Sequence, residues 1–254
     1  MKNIYSLIIA LIGVAFSLSA QSDIEKIINT YNQGVDYERK ADYKNALVRF
    51  KQAYEFGDHT LSPMKIAEYY ALGKGVSKDL EESSRWLIIA ANNDNAQAQN
   101  MVGDLYYYGM GGINQSLPES AKWYLKAAEQ DFPDGQFKIG LAYLDGEGVA
   151  QNNSQGLMWL RKAAENNHPD AQDALAIIYG FGKNGVQKDM KEFVKWALKA
   201  AEGGNHQSQF RAGSIYLNGL GGIKSDKKKA IEWFKKAAAQ GDQDAIQKLS
   251  ELGY

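Results

Sequence analysis

The chain contains no cysteine, and it has only four prolines and three histidines among its 254 residues. Without cysteine there can be no disulfide, thiolate metal site, cysteine nucleophile or cysteine-linked lipid anchor. The formal net charge is −1, so no global basic excess indicates nucleic acid or an anionic membrane surface as a partner. The few prolines beside 25 glycines suit helices joined by glycine-bearing turns.

The first twenty residues have the layout of a secretory signal peptide. Lys2 gives the segment a positively charged start. An apolar run from Ile4 to Leu18, interrupted only by serine and glycine, follows it, and the segment ends in small residues, the last of which is Ala20. We expect cleavage after Ala20 and an exported mature chain that is periplasmic or secreted and is not a lipoprotein. An uncleaved anchor is the alternative, but a spanning helix needs about 20 apolar residues. No later segment is long enough, so no membrane insertion is expected after cleavage.

A repeat of 36 or 37 residues organises the rest of the chain. It is marked by five tryptophans, each followed four residues later by a pair of alanines: Trp86, Trp123, Trp159, Trp196 and Trp233. Each unit also carries a tyrosine with glycine three residues later: Tyr70, Tyr106, Tyr143, Tyr179 and Tyr216. The one-residue length difference falls in the glycine loop after that tyrosine. The pattern therefore predicts helix A, a glycine loop, helix B and a turn in every unit.

Both ends of helix B are marked as well. Residues that favour helix N-caps stand before it at Asp79, Ser116, Asn152, Asp189 and Asp226. Residues that tolerate a left-handed backbone stand after it at Asp94, Asp131, Asn167, Gly204 and Gly241. The tryptophan and the alanine pair share one face of helix B, so we expect the small alanines to admit a neighbouring helix and the ring to fill the gap between units.

This combination of positions resembles the Sel-one-like repeat, a relative of the tetratricopeptide repeat. The resemblance implies an all-α fold, a right-handed α/α superhelical solenoid of antiparallel helix pairs. We assign residues 1–20 to the signal peptide, 21–59 to a tetratricopeptide-like unit, 60–242 to five Sel-one-like repeats and 243–254 to a C-terminal capping helix. Tyr37, Tyr43 and Phe50 carry the tetratricopeptide-like spacing of the first unit.

No catalytic or metal-binding constellation is evident. His59, His168 and His206 fall in inter-repeat turns, which we interpret as structural positions and not as converging ligands. The glycine loops join helices and lack the lysine and serine pattern of a phosphate loop. We therefore predict that the protein is not an enzyme and binds no cofactor, metal or nucleic acid. The lysines around Asp226 are interpreted as a solvated face, with an anionic-partner patch as the alternative.

The family's usual binding surface is the concave face lined by helix A. The inward positions inferred from that geometry include six acidic and five aromatic residues and no lysine or arginine, which favours a partner segment with basic and apolar side chains. Some of these residues could instead pack between helices. The residues predicted to contact the partner are Glu68, Asn100, Asp104, Tyr107, Tyr108, Phe137, Asp145 and Asp173.

The leading interpretation of function is a non-enzymatic scaffold or adaptor that binds a peptide or protein on the helix-A surface. The resemblance implies this role, and a solenoid suits it because each unit adds surface without a central pocket. The alternative is a binder or hydrolase of cell-envelope glycans, including peptidoglycan. Some exported relatives rich in cysteine have been linked to penicillin-type ligands, but this chain lacks their disulfide cysteines.

Overall fold

The computed structural model describes residues 18–254, with side chains described from residue 21 onward. In this range every regular element is an α-helix, which confirms the predicted all-α fold. The helices are α1 (Leu18–Arg39), α2 (Tyr43–Glu55), α3 (Leu61–Leu72), α4 (Leu80–Asn92), α5 (Ala96–Tyr108), α6 (Leu117–Glu129), α7 (Pro133–Asp145), α8 (Asn153–Glu165), α9 (Pro169–Phe181), α10 (Met190–Glu202), α11 (His206–Asn218), α12 (Lys227–Ala239) and α13 (Gln243–Glu251). Residues 1–17 of the predicted leader lie outside the described part of the chain, and its last three residues, 18–20, begin α1.

The chain forms two compact units, residues 1–116 and residues 117–254. The described part of unit 1 comprises α1 to α5, and unit 2 comprises α6 to α13. Consecutive helices pack against one another within each unit, as expected for a solenoid of helix pairs. Helix A of the five repeats corresponds to α3, α5, α7, α9 and α11, and helix B corresponds to α4, α6, α8, α10 and α12.

The predicted helix boundaries are confirmed at both ends of the pairs. Before helix B, side-chain oxygens accept hydrogen bonds from first-turn amides at Asp79, Asn152, Asp189 and Asp226. After helix B, all five predicted turn residues have positive φ: Asp94, Asp131, Asn167, Gly204 and Gly241. Helix A ends in a left-handed glycine in every repeat, at Gly73, Gly109, Gly146, Gly182 and Gly219. Local chemistry therefore sets where each helix starts and stops.

The second glycine of the loop has a packing role. A Cβ at Gly111 would lie 1.8 Å from Ser84 Oγ in α4, and a Cβ at Gly148 would lie 2.1 Å from the carbonyl oxygen of Leu117 at the start of α6. No side chain fits at either contact, because the loop lies directly on the first turn of the preceding helix B. The loops that contain Gly111 and Gly148 thus pack tightly on the preceding repeat of the same unit.

The core follows the predicted small-residue pattern more closely than the predicted tryptophan pattern. The alanine pairs of α4, α6, α8 and α10 are buried, and Gly213 approaches Phe234 so closely that a Cβ would lie 2.5 Å from the ring. Trp159 and Trp196 are buried. The rings of the other three, Trp86, Trp123 and Trp233, are only half-buried. The tryptophans therefore contribute unequally to the core.

A buried glutamine is the main structural feature that the sequence interpretation missed. Gln99, Gln136, Gln172 and Gln209 occupy one position of helix A, and each donates its amide to the carbonyl of the second alanine of the preceding pair, at 2.9 to 3.4 Å. These carbonyls lie in the last turn of helix B, where no intrahelical partner is available. The glutamines therefore join helix B of one repeat to helix A of the next.

The flanking segments also pack as helices. In the segment before the repeats, Gly34 of α1 faces Phe50 of α2, which is fully buried and contacts the ring of Tyr69 with centroids 5.7 Å apart. At the other end, α13 buries Ala245 and Leu249 in a cluster with Phe234 of α12. Both segments thus cover apolar faces of the neighbouring repeat.

Candidate functional site

A cleft of about 420 Å³ opens on the helix-A side of unit 1. Residues from four helices, α1, α3, α4 and α5, form its walls, and most of them are apolar. The lining residues include Tyr31, Leu61, Met64, Lys65, Glu68, Leu72, Leu87 and Met101. Small Ala67 and Ala71 on the adjoining turns of α3 leave the space open. The volume of the cleft falls in the range of about 300 to 1,000 Å³ that is usual for ligand pockets, so a bulky side chain of a partner can enter it.

Large apolar side chains remain exposed around the cleft. Leu72 is 59% exposed, Leu61 is 36% exposed and Met101 is 37% exposed. Tyr108, at the end of α5, is 63% exposed, and its ring lies 4.9 Å from that of Tyr107 in an edge-to-face arrangement. Exposed apolar side chains that line a cleft, as Leu61, Leu72 and Met101 do, mark a surface suited to another molecule.

A four-residue charge cluster borders the cleft. Glu68 pairs with Lys74 at 2.7 Å and with Lys65 at 3.6 Å, and Lys65 also pairs with Glu38 of α1 at 3.0 Å. Partial burial pushes the pKa of Glu68 upward, but the hydrogen bond from Lys74 and the two ammonium charges outweigh it and hold that pKa below its usual value. Burial, together with nearby carboxylates, raises the pKa of Tyr31 to about 12.

These contacts correct the predicted charge of the surface. Lys65 lines the cleft, so the expectation that no lysine or arginine lies on this face is wrong. The sequence pattern missed Lys65 because its partner Glu38 belongs to α1, which precedes the five repeats. Two carboxylates and two ammonium groups largely compensate one another here, and the acidic character predicted around Glu68 is reduced.

The other predicted residues of unit 1 differ in accessibility. Asn100 is buried at 5% exposure, and its Oδ1 has no hydrogen-bond partner among the described residues. Asp104 and Tyr107 are half-buried on α5, whereas Tyr108 is exposed. Of these four residues, the two tyrosines and Asp104 can reach a partner, and Asn100 belongs to the packing between helices.

The predicted residues of unit 2 differ in burial and in the contacts they make. Phe137 is half-buried and stacks on the His168 ring with centroids 4.7 Å apart, and Asp145 is exposed at the end of α7. Asp173 is 7% exposed, and its Oδ1 accepts hydrogen bonds from the Arg211 guanidinium and the Ser208 hydroxyl of α11. The expectation that Asp173 offers its carboxylate to a partner is therefore wrong, because neighbouring side chains already bind it.

His59 and His168 lie in inter-repeat turns, as predicted, whereas His206 is the first residue of α11. His168 caps α9, with Nδ1 accepting from the Ala171 amide at 3.2 Å and Nε2 lying 3.1 Å from Asp134 Oδ1. Within residues 18–254, no group of three or more potential ligands could hold a metal ion. In the same range, no helix is long and apolar enough to cross a membrane.

The fold and this surface define a helical repeat protein with a side-chain cleft and an exposed apolar surface. A sequence model of the Sel1 repeat matches residues 64–95, 96–132, 133–168, 169–205 and 206–242. The chain belongs to the Sel1 repeat family. Proteins of this family are generally non-catalytic scaffolds that bind other proteins. No curated protein matches the chain.

Two solved structures agree with this assignment. A Sel1 repeat protein from Oxalobacter formigenes is 30% identical with a TM-score of 0.74, and the match covers 87% of this chain and 86% of that protein. The protective antigen c5321 of uropathogenic Escherichia coli, which displays the same repeat fold, is 30% identical with a TM-score of 0.79. That match covers 89% of this chain but only 48% of the antigen, so the chain spans about half of its length.

Proposed function

We propose that this protein is a non-enzymatic scaffold that captures a protein or peptide on the helix-A side of unit 1. The observation that carries the proposal is the 420 Å³ cleft with exposed Leu61, Leu72 and Met101 around it. A bulky apolar side chain of the partner enters the cleft, and the adjoining segment lies against Tyr107 and Tyr108. Burial of such an anchor is the kind of contact that dominates protein interfaces.

The charge cluster of Glu38, Lys65, Glu68 and Lys74 bears on which side chains we expect the partner to carry. Because Lys65 and Lys74 already neutralise Glu68, attraction of a basic segment is a secondary contribution at this cleft. Asp145, which the sequence also assigned to the partner surface, is exposed but belongs to unit 2 and does not line this cleft. The main contact of the partner is therefore an apolar side chain in the cleft, and any basic side chains of the partner lie beside that anchor.

The test is affinity capture with chemical crosslinking from the cell that makes the protein. The wild-type chain is compared with Leu72→Asp/Met101→Asp, which places two charges beside the cleft. Met158→Asp is the matched control, since Met158 is 39% exposed on α8 of unit 2 and does not line the cleft. A partner retained by the control and lost from the double variant supports the proposal. Equal capture by both variants contradicts it.

We also propose that the chain is exported to the periplasm or beyond the cell. The support is the charged, apolar and small-residue layout of residues 1–20. N-terminal sequencing of the protein from the native cell tests this, and a mature chain that begins at Gln21 is the expected result. Recovery of the uncleaved chain from the soluble cytoplasmic fraction contradicts export.

A further inference from the structure

The last helix pair carries a strong local positive charge. Residues 224–239 contain six lysines and two carboxylates, a net charge of +4 in a chain whose overall charge is −1. All six lysines are exposed, and among the described residues none of them is in an ion pair. One of the two carboxylates, Asp226, is used as the N-cap of α12 and accepts from the Lys229 amide at 3.0 Å.

This charge departs from the pattern of the other helix-B segments. In α4, α6 and α10 a basic side chain pairs with a glutamate three residues earlier, as in Lys122 with Glu119 and Lys195 with Glu192, whereas α8 has uncharged residues at both positions. In α12 the two positions are exchanged, with Lys229 at the glutamate position and Glu232 at the basic one, and these two side chains form no ion pair with each other. The basic charge of α12 is therefore available to an external anion.

Aromatic rings hold three of these lysines in place. Lys229 lies 5.3 Å from the ring centre of Tyr216, Lys235 lies 5.1 Å from that of Tyr254, and Lys236 lies 4.0 Å from that of Trp233. Such cation–π contacts restrict long side chains while leaving their ammonium groups at the surface. Less conformational entropy is then lost when an anion binds.

A cleft of about 450 Å³ lies within this surface, and we call the surface the α12 basic face. The cleft is lined by Lys227, Lys228, Ile231, Glu232, Lys235 and Tyr254. Lys228 and Lys235 are seven residues apart on one helix, which separates them by about 10 Å along the axis. That distance matches roughly three residues of an extended peptide. The Tyr254 ring, 63% exposed, adds an apolar contact between the charges.

We propose that the α12 basic face binds an acidic protein segment that also carries apolar side chains. Complementary charge supplies the attraction, and Tyr254 with the half-open cleft accommodates an apolar side chain between two carboxylates. This surface belongs to unit 2 and does not depend on the unit 1 cleft. The chain would then carry two surfaces of different chemistry, one anchored by apolar contact and one by charge.

The experiment measures binding of a fluorescein-labelled twelve-residue peptide of glutamates interspersed with leucine to the full chain by fluorescence anisotropy. The test variant is Lys228→Glu/Lys235→Glu. The matched control is Lys126→Glu/Lys162→Glu, two exposed lysines that also lie over tryptophan rings, on α6 and α8. Circular dichroism verifies that both variants keep their helices. We expect the test variant to weaken binding about tenfold and the control to leave it within about twofold.

Further probes distinguish the classes of anion. A peptide with glutamine in place of every glutamate should not bind, and added salt should weaken the acidic peptide. The proposal is overturned if the acidic peptide fails to bind, or if both charge reversals affect it equally. It is also overturned if heparin, phosphatidylglycerol vesicles or single-stranded DNA bind the α12 basic face more tightly than the peptide. Leu72→Asp/Met101→Asp should leave this binding unchanged, so failure of one proposed surface is separable from failure of the other.

Discussion

At the scale of single residues, the hydrogen bonding of each buried glutamine Oε1 depends on which residue stands in the neighbouring turn. Asn166 donates to Gln136 Oε1 at 3.0 Å, and Gln240 donates to Gln209 Oε1 at 2.8 Å. The equivalent turn residue beside Gln172 is Gly203, which has no side chain to donate. Gln172 Oε1 is correspondingly buried without a hydrogen-bond partner among the described residues. An unsatisfied buried oxygen costs free energy of folding.

Replacing Gly203 by asparagine should therefore stabilise unit 2. Gly203 has φ of −71°, which any residue can adopt, and the new amide can donate to Gln172 Oε1. We expect a gain of about 1 kcal/mol in the free energy of unfolding, measured by urea denaturation. The matched control Gly203→Ala reports the backbone contribution and the contact with Pro169, 3.1 Å from the added Cβ. Equal stability of the two variants would rule out the hydrogen bond.

The ion pair between buried Asp173 and half-buried Arg211 is a second case at this scale. Removing one partner leaves the other charge poorly compensated, so Asp173→Leu should cost about 3 kcal/mol of unfolding free energy. The double variant Asp173→Leu/Arg211→Met should recover part of that loss, because neither charge remains. Thermal and urea denaturation measure both variants. A single variant as stable as the wild type would show that the ion pair contributes nothing.

At the scale of helices, capping gives each repeat its boundaries. Asp189 accepts from the Lys191 and Glu192 amides at 2.8 and 3.1 Å and begins α10. Asp189→Ala should cost about 1 kcal/mol of unfolding free energy, because those first-turn amides lose their acceptor. Asp189→Asn should restore most of it, since asparagine also caps well. If the two substitutions destabilise equally, charge and not capping is the important property.

The charge cluster of α3 predicts a pH dependence. The pKa of Glu68 is lowered in the folded protein, so its ionised form stabilises the fold at pH values above its usual pKa of 4.5. That contribution is lost as the pH falls through the lowered folded value. The difference in unfolding free energy between wild type and Glu68→Gln should therefore shrink on acidification, as measured by urea denaturation from pH 7 to pH 3. A constant difference over that range would contradict the prediction.

At the scale of the whole molecule, the terminal helix completes unit 2. Ala245 and Leu249 of α13 pack against Phe234 and Ile231 of α12, so deletion of residues 243–254 exposes that apolar cluster to water. We expect a clear fall in thermal stability, measured by circular dichroism, because repeat arrays need a capped end. Ile246→Ser is the control, since Ile246 is 45% exposed and should tolerate a polar side chain. An unchanged melting temperature of the deletion variant would show that α13 is dispensable.

Much of this architecture can be predicted from the sequence because it is set by interactions between residues close together in the chain. The caps before helix B, the left-handed glycines after helix A and the turn residues such as Asn167 each respond to neighbours within one turn of the chain. These local signals recur from one repeat to the next, which makes them easy to recognise. The buried glutamines recur with the same period, but nothing in their spacing shows that they donate to carbonyls eight residues earlier.

The candidate site depended far more on the tertiary structure. Counting inward positions of helix A located Glu68, Tyr107 and Tyr108 on accessible surface, but it also selected Asp173, which Arg211 and Ser208 enclose. It missed Lys65, whose charge matters only because α1 brings Glu38 beside it. The sequence by itself determined the period, the helix boundaries and the family, since these arise from short-range contacts. Only the tertiary structure decided which polar side chains are paired and which stay open, because burial and pairing depend on residues 27 to 38 positions apart.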